Sequence, residues 1–219
     1  MKNKNRYFLA ELIGSCFLVM IIVGSGLMAE NLTNDTAVML IANTLATGAG
    51  LFVLITVFAD VSGAHFNPFV SIAMTITGKL KKKLLPFYIF AQVLGCLIGV
   101  ALANFFFEHQ IFELSTKSRD GVYIFVSEII ATLGLIMIIF GSMKSGKITV
   151  AASVGLYITA GYWFTSSTSF ANPAVAIART FTESFTGISY LNTPFYIFAE
   201  LIGMLIAVFI AKKLFLEKY

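Results

Sequence analysis

Charged residues, cysteines and histidines are scarce in this sequence. The first two shortages each exclude a class of protein. Charged residues make up only 12% of the chain, against about 25% in an average soluble domain, so a water-soluble globular protein is excluded. The small net charge of +4 gives no reason to expect a nucleic-acid partner. The only cysteines, Cys16 and Cys96, lie in apolar runs, so we expect no disulfide framework and no metal site.

In place of charge the sequence has long apolar runs, and hydrophobic residues make up 58% of it. Six runs are long enough to cross the ~30 Å hydrocarbon core of a bilayer. The first run is too long for the apolar part of a signal peptide, so we expect it to remain as the first span. The runs are 7–29, 37–59, 84–107, 122–141, 148–166 and 194–215. They predict a multi-pass membrane protein in contact with lipid.

The positions of the basic residues predict how the chain is oriented. Twelve of the 15 Lys and Arg residues fall in four clusters, within residues 2–6, 79–83, 144–147 and 212–218. All four clusters lie on one side of the membrane if both termini and the connections between spans two and three and between spans four and five are cytoplasmic. The positive-inside rule therefore predicts that both termini lie in the cytoplasm. We expect the membrane to be the plasma (inner) membrane.

Two short helices are predicted between the spans. Asn67-Pro68 and Asn172-Pro173 each combine a preferred N-cap residue with the residue that best tolerates the first helical position. The first helix is predicted to run from Pro68 to just before Gly78, and the second from Pro173 to about Thr182. Roughly ten residues correspond to ~15 Å, which is half the thickness of the hydrocarbon core.

The chain also contains an internal repeat. Residues 86–91 and 194–199 are identical, and Glu11 in the first span has a counterpart in Glu128 of the fourth. Each copy has three spans, so the second copy enters the membrane from the opposite face. We therefore predict one channel domain over residues 1–219, with repeat 1 at about 7–107 and repeat 2 at about 122–216.

Inversion brings the N-termini of the two half-helices together near the middle of the membrane. Their positive partial charges oppose cations, while the side chains of Asn67 and Asn172 offer hydrogen-bond donors to an uncharged solute. Irregular backbone at this depth is tolerated only where it is buried or lines a water-filled cavity. The arrangement favours passive passage of small neutral molecules.

The two Asn-Pro boxes, the Ser-Gly-Ala-His-Phe-Asn-Pro stretch at 62–68 and the inverted repeat together resemble the aquaporin and aquaglyceroporin family, also called major intrinsic proteins. The resemblance covers essentially the whole chain. It implies an all-α membrane fold of six transmembrane helices and two re-entrant half-helices, in a right-handed bundle. It also implies one pore per protomer, a homotetramer and no cofactor. The residues of the two boxes that it places at the pore are Asn67, Pro68, Phe69, Asn172, Pro173 and Ala174.

The sequence departs from the family pattern in the first box, in the outer filter and at Glu200, where family members often have proline. Phe69 replaces the usual alanine of the first box, and Val175 stands where most members have the arginine of the outer selectivity filter. The resemblance places Ala49, Tyr162 and Ser169 at the other filter positions. Arg179, one turn beyond Val175, is predicted to lie in the outer vestibule. Most of these filter residues are small or uncharged, which favours a wider pore than that of a strict water channel.

We therefore predict a channel for water and small neutral solutes such as glycerol, urea or undissociated metalloid hydroxides. A secondary transporter is the first alternative, since inverted repeats and broken helices are also transporter features. A weakly selective ion channel is the second, because the filter arginine is missing. An enzyme is disfavoured, since the sequence has neither H-E-x-x-H nor G-x-S-x-G and places His65 and His109 on opposite sides of the membrane.

Four further polar residues have two interpretations each. Glu11 and Glu128 either belong to a proton pathway or brace the re-entrant loops by accepting backbone hydrogen bonds, and the resemblance favours bracing. His65 is either a pH gate or a loop-bracing residue, of which bracing is favoured. Glu200 occupies the position equivalent to Gln92 in the other repeat, and both structural pairing and a pore-facing role remain open for it.

Overall fold

The computed structural model describes residues 2–216, and every regular element within that range is helical. The chain forms eight α-helices, with single 3₁₀ turns at Lys82–Leu84 and Met143–Ser145 and a π-helical turn at Lys212–Leu216; the longest connections are residues 107–121 and 180–192. The helices are α1 (Lys2–Leu32), α2 (Thr36–Ser62), α3 (Pro68–Ile76), α4 (Leu85–Phe106), α5 (Val122–Ser142), α6 (Lys147–Phe164), α7 (Pro173–Arg179) and α8 (Thr193–Ala211).

Six of these helices form the membrane-spanning bundle. In the described part of the chain, α1, α2, α4, α5 and α8 are long and apolar enough to span a bilayer by length and composition. The sixth, α6, has 18 residues and begins with Lys147, and its threonines, glycines and tyrosines make it less apolar. It packs against both α2 and α5, so it completes the bundle through its contacts with these two spans.

The two half-helices begin where the sequence predicts. Asn67 caps α3 by accepting from the backbone N–H groups of Phe69 and Val70, at 2.9 and 3.4 Å. Asn172 caps α7 in the same way, at 3.1 and 3.4 Å to the next two N–H groups after Pro173. Each cap therefore satisfies donors that would otherwise be orphaned inside the membrane.

The second half-helix is shorter than predicted, because it ends at Arg179 and not near Thr182. Its continuation pairs with the connection between α4 and α5. The backbone N–H of Ser115 donates to the carbonyl of Thr180 at 2.9 Å, and that of Glu113 donates to the carbonyl of Phe181 at 3.2 Å. The carbonyl of Arg179, which a helix reaching Thr182 would need for its last turn, accepts instead from the backbone N–H of Ile188 at 3.2 Å, so the helix ends early.

Glycines at equivalent positions of the two repeats bring the long helices into close contact. A Cβ atom added at Gly95 of α4 would lie 2.3 Å from the carbonyl oxygen of Leu12 in α1. At Gly203 of α8 it would lie 2.4 Å from the carbonyl oxygen of Ile129 in α5. The neighbouring atoms belong to the backbone of the facing helix, which cannot move aside as a flexible side chain can. Only glycine therefore fits at these two helix crossings.

Gly203→Ala is therefore expected to destabilise the bundle by about 1–3 kcal/mol, the usual cost of forcing extra volume into a packed interior. Thermal unfolding of the detergent-solubilised protein would measure the loss. Gly24→Ala is the matched control, because its nearest neighbour, Phe107, lies 3.7 Å from the added Cβ. An equal midpoint for the two variants would show that the α5–α8 contact is not the close one described.

Candidate functional site

The tips of the two half-helices are tied to each other across the centre of the bundle. The Nδ2 group of Asn67 donates to the carbonyl oxygen of Ala171 at 2.7 Å. The Nδ2 group of Asn172 donates to the carbonyl oxygen of Phe66 at 2.8 Å. These reciprocal bonds place the two asparagines in one site, although 105 positions separate them in the chain.

Each asparagine has one donor left after these bonds. Its side-chain oxygen caps its own helix, and one of its two amide hydrogens reaches the opposite loop. The amide group carries two N–H donors, so one per residue remains for another acceptor. Asn67 and Asn172 both line the same cavity, which makes these two N–H groups available to a solute there.

The loops that enter the half-helices have the same unusual backbone. Ala64 and Phe66 adopt positive φ angles of 52° and 49°, and Ser169 and Ala171, at the equivalent positions, adopt 51° and 47°. Non-glycine residues in this left-handed region cost roughly 1–2 kcal/mol each. The surrounding structure must offset that cost to keep both loops in place.

Two buried carboxylates hold the strained loops. Glu11 accepts from the backbone N–H groups of His65 and Phe66 at 3.0 and 2.8 Å, and from the hydroxyl of Ser62. Glu128 accepts from the N–H of Phe170 at 3.3 Å and from that of Ala171. Glu11 and Glu128 are fully buried and outside the cavity wall, so the structure gives both the geometry of a loop brace.

His65 also contacts its own loop. Its Nδ1 atom lies 3.0 Å from the hydroxyl oxygen of Ser71, while its backbone N–H is held by Glu11. The imidazole ring packs 5.2 Å from the ring of Tyr88, centroid to centroid. His65 lines the cavity, and its side-chain contacts fix the shape of the loop at that point.

One cavity of about 400 Å³ runs past both asparagines. Its wall extends from Met143 and Lys147, between α5 and α6, to Tyr162 and Arg179 on the far side of the asparagine pair. One side of the cavity is polar, formed by the two loops and the asparagines. The opposite side is apolar and is formed by Leu18, Ile22, Leu51, Ile55, Val154 and Ile158.

The structure corrects the placement of four box residues. Pro68, Phe69, Pro173 and Ala174 are buried but are absent from the cavity wall. Successive helical residues are about 100° apart. Val70 and Val175 are the third residues of α3 and α7, and both face the cavity. The first two residues of each helix therefore point away from it. They pack where the half-helices meet the bundle.

Three of the four predicted filter residues, Tyr162, Ser169 and Val175, line the cavity together. The prediction of Ala49 is wrong, because Ala49 is exposed on the outside of α2. Thr47 takes that place: it is buried, lines the cavity, and its hydroxyl lies 3.3 Å from that of Tyr162. Two residues along a helix turn a side chain by about 200°, so the small error in alignment moved the prediction to the opposite face.

Arg179 lies inside the pore wall and not in an outer vestibule. It is only 2% exposed and lines the same cavity as Val175 and Tyr162. Its guanidinium carbon lies 3.5 Å from the centre of the Phe170 ring, and its Nε group donates to the carbonyl of Thr186. A helical side chain leans toward the N-terminus of its helix, which carries this cation back toward the asparagine pair.

Sequence reasoning missed two other cations beside Arg179. Lys117 Nζ donates to the carbonyl of Phe185 at 2.7 Å, and Arg119 Nε donates to the carbonyl of Gly187 at 2.8 Å. Burial, followed by the positive charges of Arg119 and Arg179, lowers the pKa of Lys117 to about 8. Both residues belong to the distant connection between the repeats, and no motif in the sequence links that connection to residues 185–187.

Glu200 is also fully buried and does not line the cavity. Its Oε1 atom accepts from the backbone N–H of Asn172 at 2.8 Å. Its counterpart Gln92 donates from Nε2 to Glu11 at 2.7 Å. Of the two interpretations left open for Glu200, the structure therefore supports structural pairing.

Comparisons with known proteins agree with this geometry. The family model described as "Major intrinsic protein" matches residues 1–210. Aquaglyceroporin AqpS of Rhizobium meliloti (strain 1021) is 46% identical over 202 residues, which cover 92% of this chain and 87% of that protein. A probable TIP-type aquaporin of Medicago truncatula is 32% identical over 222 residues, covering 95% and 86%. The X-ray structure of the aquaglyceroporin from Plasmodium falciparum superposes with a TM-score of 0.75 at 22% identity, covering 96% of this chain and 94% of that one.

Proposed function

This chain belongs to the major intrinsic protein family, and from that premise we propose how it works as a passive channel for water and small solutes such as glycerol. The observation that carries the proposal is the pair of reciprocal bonds between Asn67 and Asn172 and the opposite loops. These bonds place both remaining amide donors in one cavity.

The two-sided wall of the cavity fits solutes that have a polar and an apolar face. Hydroxyl or amide groups of a solute can bond to the asparagines and to the loops, while its CH groups lie against Leu51, Ile55 and Ile158. Glycerol has this two-sided character. Urea and undissociated metalloid hydroxides carry no C–H groups, and they fit the site through hydrogen bonds to its polar side and through their lack of charge. An uncharged solute also loses little solvation free energy on entering such a site, unlike an ion.

Ion exclusion is assigned to the centre and the outer end of the cavity. The N-termini of α3 and α7 direct positive partial charge toward the asparagine pair. Arg179 adds a full positive charge to the wall on one side of that pair. Cations therefore meet unfavourable potential in two successive places, and the described part of the cavity wall contains no carboxylate to offset it.

The narrow filter is assigned to Thr47, Tyr162, Ser169, Val175 and Arg179. Thr47 and Tyr162 join α2 to α6 through their hydroxyls, and the buried hydroxyl of Ser169 has no partner within the described structure. That hydroxyl is free to bond to a passing solute. Val175 presents an apolar surface where most family members have an arginine, which leaves room for solutes larger than water.

Stopped-flow light scattering of proteoliposomes tests the proposed substrates. Water, glycerol, urea and undissociated arsenous acid are each applied as an osmotic gradient, with protein-free vesicles as the control. We expect accelerated flux for water and for at least glycerol among the solutes. Flux of water with complete exclusion of every larger solute would contradict the wide filter.

Arg179→Gln is expected to weaken the barrier to cations. A unit charge at about 4 Å contributes about 4 kcal/mol at an effective dielectric constant of 20, so proton and potassium leak should rise at least tenfold. A pH-sensitive dye inside proteoliposomes measures proton leak. Arg179→Lys keeps a positive charge and Lys144→Gln removes one from an exposed position, and both should leak as little as the wild type. Equal leak in Arg179→Gln would place the barrier elsewhere.

The remaining proposals concern the setting of the pore. We place it in a single channel domain over residues 1–219 and in the plasma (inner) membrane, with the lysine-rich connections and both termini in the cytoplasm. Exposed apolar side chains along the outer faces of the helices, such as Leu45, Val53 and Phe198, are suited to lipid and to neighbouring protomers of a homotetramer. Family membership supports transport, not catalysis, as the activity of the chain.

A further inference from the structure

Two carboxyl groups face each other behind the second loop, at a depth where neither has access to water. Glu128 of α5 and Glu200 of α8 are both 0% exposed. They accept from the backbone N–H groups of two consecutive residues, Ala171 and Asn172, and they occupy the positions at which Glu11 and Gln92 of the first repeat are hydrogen-bonded to each other. The ion pairs among the described residues are His109 with Glu113 and Lys147 with Asp60, so neither carboxyl has a cationic partner there.

The cations nearest to the two carboxyl groups, Arg179 of α7 and Arg119 of the connection between α4 and α5, donate hydrogen bonds to backbone carbonyls. Arg179 Nε bonds to the carbonyl of Thr186 and Arg119 bonds to the carbonyls of Phe185 and Gly187. Two buried carboxylates that bind neighbouring backbone groups without a cation repel each other strongly in a low dielectric, so such a pair holds one proton between them.

The first repeat shows which hydrogen bonds the side chain at the position of Glu200 must make. There Glu11 faces Gln92, whose Nε2 group donates to Glu11 at 2.7 Å and to the hydroxyl of Ser71 at 2.9 Å. In the second repeat Glu200 replaces the glutamine, and Ala176 stands four residues after the asparagine, where the first repeat has Ser71. A glutamic acid can reproduce the donor of Gln92 only when it is protonated.

The surrounding hydrogen bonds decide which of the two holds the proton. Glu128 accepts from two backbone N–H groups, those of Phe170 and Ala171. Among the described residues, Glu200 accepts only from the N–H of Asn172, at Oε1, and no donor there reaches its Oε2 atom. Donors stabilise a negative charge, so the charge belongs on Glu128 and the proton on Oε2 of Glu200.

We propose that Glu200 is a protonated carboxylic acid at neutral pH and acts as a positioning residue for Asn172. Its O–H group donates to the carboxylate of Glu128, and its carbonyl oxygen accepts from the backbone N–H of Asn172. The acid thereby joins the brace of the second loop to the asparagine that faces the pore. It does the work that an amide does in the first repeat.

The proposal predicts a distinct spectroscopic signature in the wild-type protein. Infrared spectra of protein labelled with carbon-13 glutamate should show, at pH 7, the C=O stretch of a protonated glutamic acid that shifts with the label. The band should be lost in Glu200→Gln and kept in Glu113→Gln, a control at a half-exposed carboxylate outside the bundle. Absence of the band from the wild type, or its persistence in Glu200→Gln, would overturn the proposal.

Flux measurements supply the second readout. Glu200→Gln keeps both a donor and an acceptor, so its glycerol flux in proteoliposomes should stay within about twofold of wild type, whereas Glu200→Leu should lose at least about tenfold. A loss in Glu200→Gln as large as that in Glu200→Leu would overturn the proposal, because it would mean that an ionisable group is needed. The infrared result does not depend on which solute the pore conducts, so it tests the protonation of Glu200 independently of the proposed function.

Discussion

Glu11→Leu is expected to yield almost no folded protein. The carboxylate of Glu11 accepts hydrogen bonds from the backbone N–H groups of His65 and Phe66, from the hydroxyl of Ser62 and from the amide of Gln92. Leucine would leave all four donors buried and unpaired, at about 1–3 kcal/mol each. The sum is comparable with the whole stability of a typical domain, about 5–15 kcal/mol.

The loss would be measured as the yield of monodisperse protein by size-exclusion chromatography and as the unfolding midpoint in detergent. Glu11→Gln is the graded comparison, because its carbonyl oxygen can still accept while its NH₂ group faces other donors. Its stability should fall between that of the wild type and that of Glu11→Leu. Wild-type yield and midpoint for Glu11→Leu would show that the first loop is held by other contacts.

Val175→Arg is expected to reduce glycerol flux at least about tenfold while reducing water flux much less, because pore width and lining charge set the selectivity of such a channel. Val175 lines the cavity beside Tyr162 and Ser169. An arginine there would fill space that a glycerol molecule needs. It would also add a second guanidinium to a wall that already holds Arg179.

Parallel water and glycerol swelling assays on the same proteoliposomes measure this change in selectivity. Val175→Leu is the matched control, since it adds volume without charge and should lower glycerol flux only slightly. If glycerol flux in Val175→Arg equals that of the wild type, position 175 does not belong to the narrow part of the pore.

The sequence predicts the architecture well because its strongest patterns are local or repeated. The long apolar runs, the two Asn-Pro starts and the repeated segments at 86–91 and 194–199 depend on nothing beyond neighbouring residues. The fold of six spans with two half-helices is accordingly confirmed, with α7 ending three residues early. That difference has a cause outside the helix, since the carbonyl of Arg179 accepts from the backbone N–H of Ile188.

The pore wall is predicted less well, because it depends on the rotation of each helix. An error of two residues in α2 exchanged Thr47 for Ala49 and so moved the prediction from the cavity to the exposed outer face of the helix. Arg179 was misplaced for a related reason. Its position along α7 indicates the outer mouth, but the long side chain reaches back over Phe170, and rotamers of this kind cannot be read from spacing.

Contacts between the repeats were beyond sequence reasoning. Lys117 and Arg119 precede α5, yet they bond to the carbonyls of Phe185 and Gly187 after α7. Nothing in the composition of either segment indicates the other. Glu200 is an intermediate case, since the repeat identified its partner Gln92 in the other half, while its contact with Asn172 required the folded structure.

We propose that two opposed half-helices, joined at Asn67 and Asn172, form a pore that passes neutral solutes and stops positive charge. The most direct measurement records glycerol-driven reswelling and internal pH in the same proteoliposomes, with an imposed proton gradient. We predict rapid reswelling while the proton gradient decays no faster than in protein-free vesicles. Reswelling no faster than in protein-free vesicles, or a proton gradient that collapses as the glycerol enters, would contradict the account.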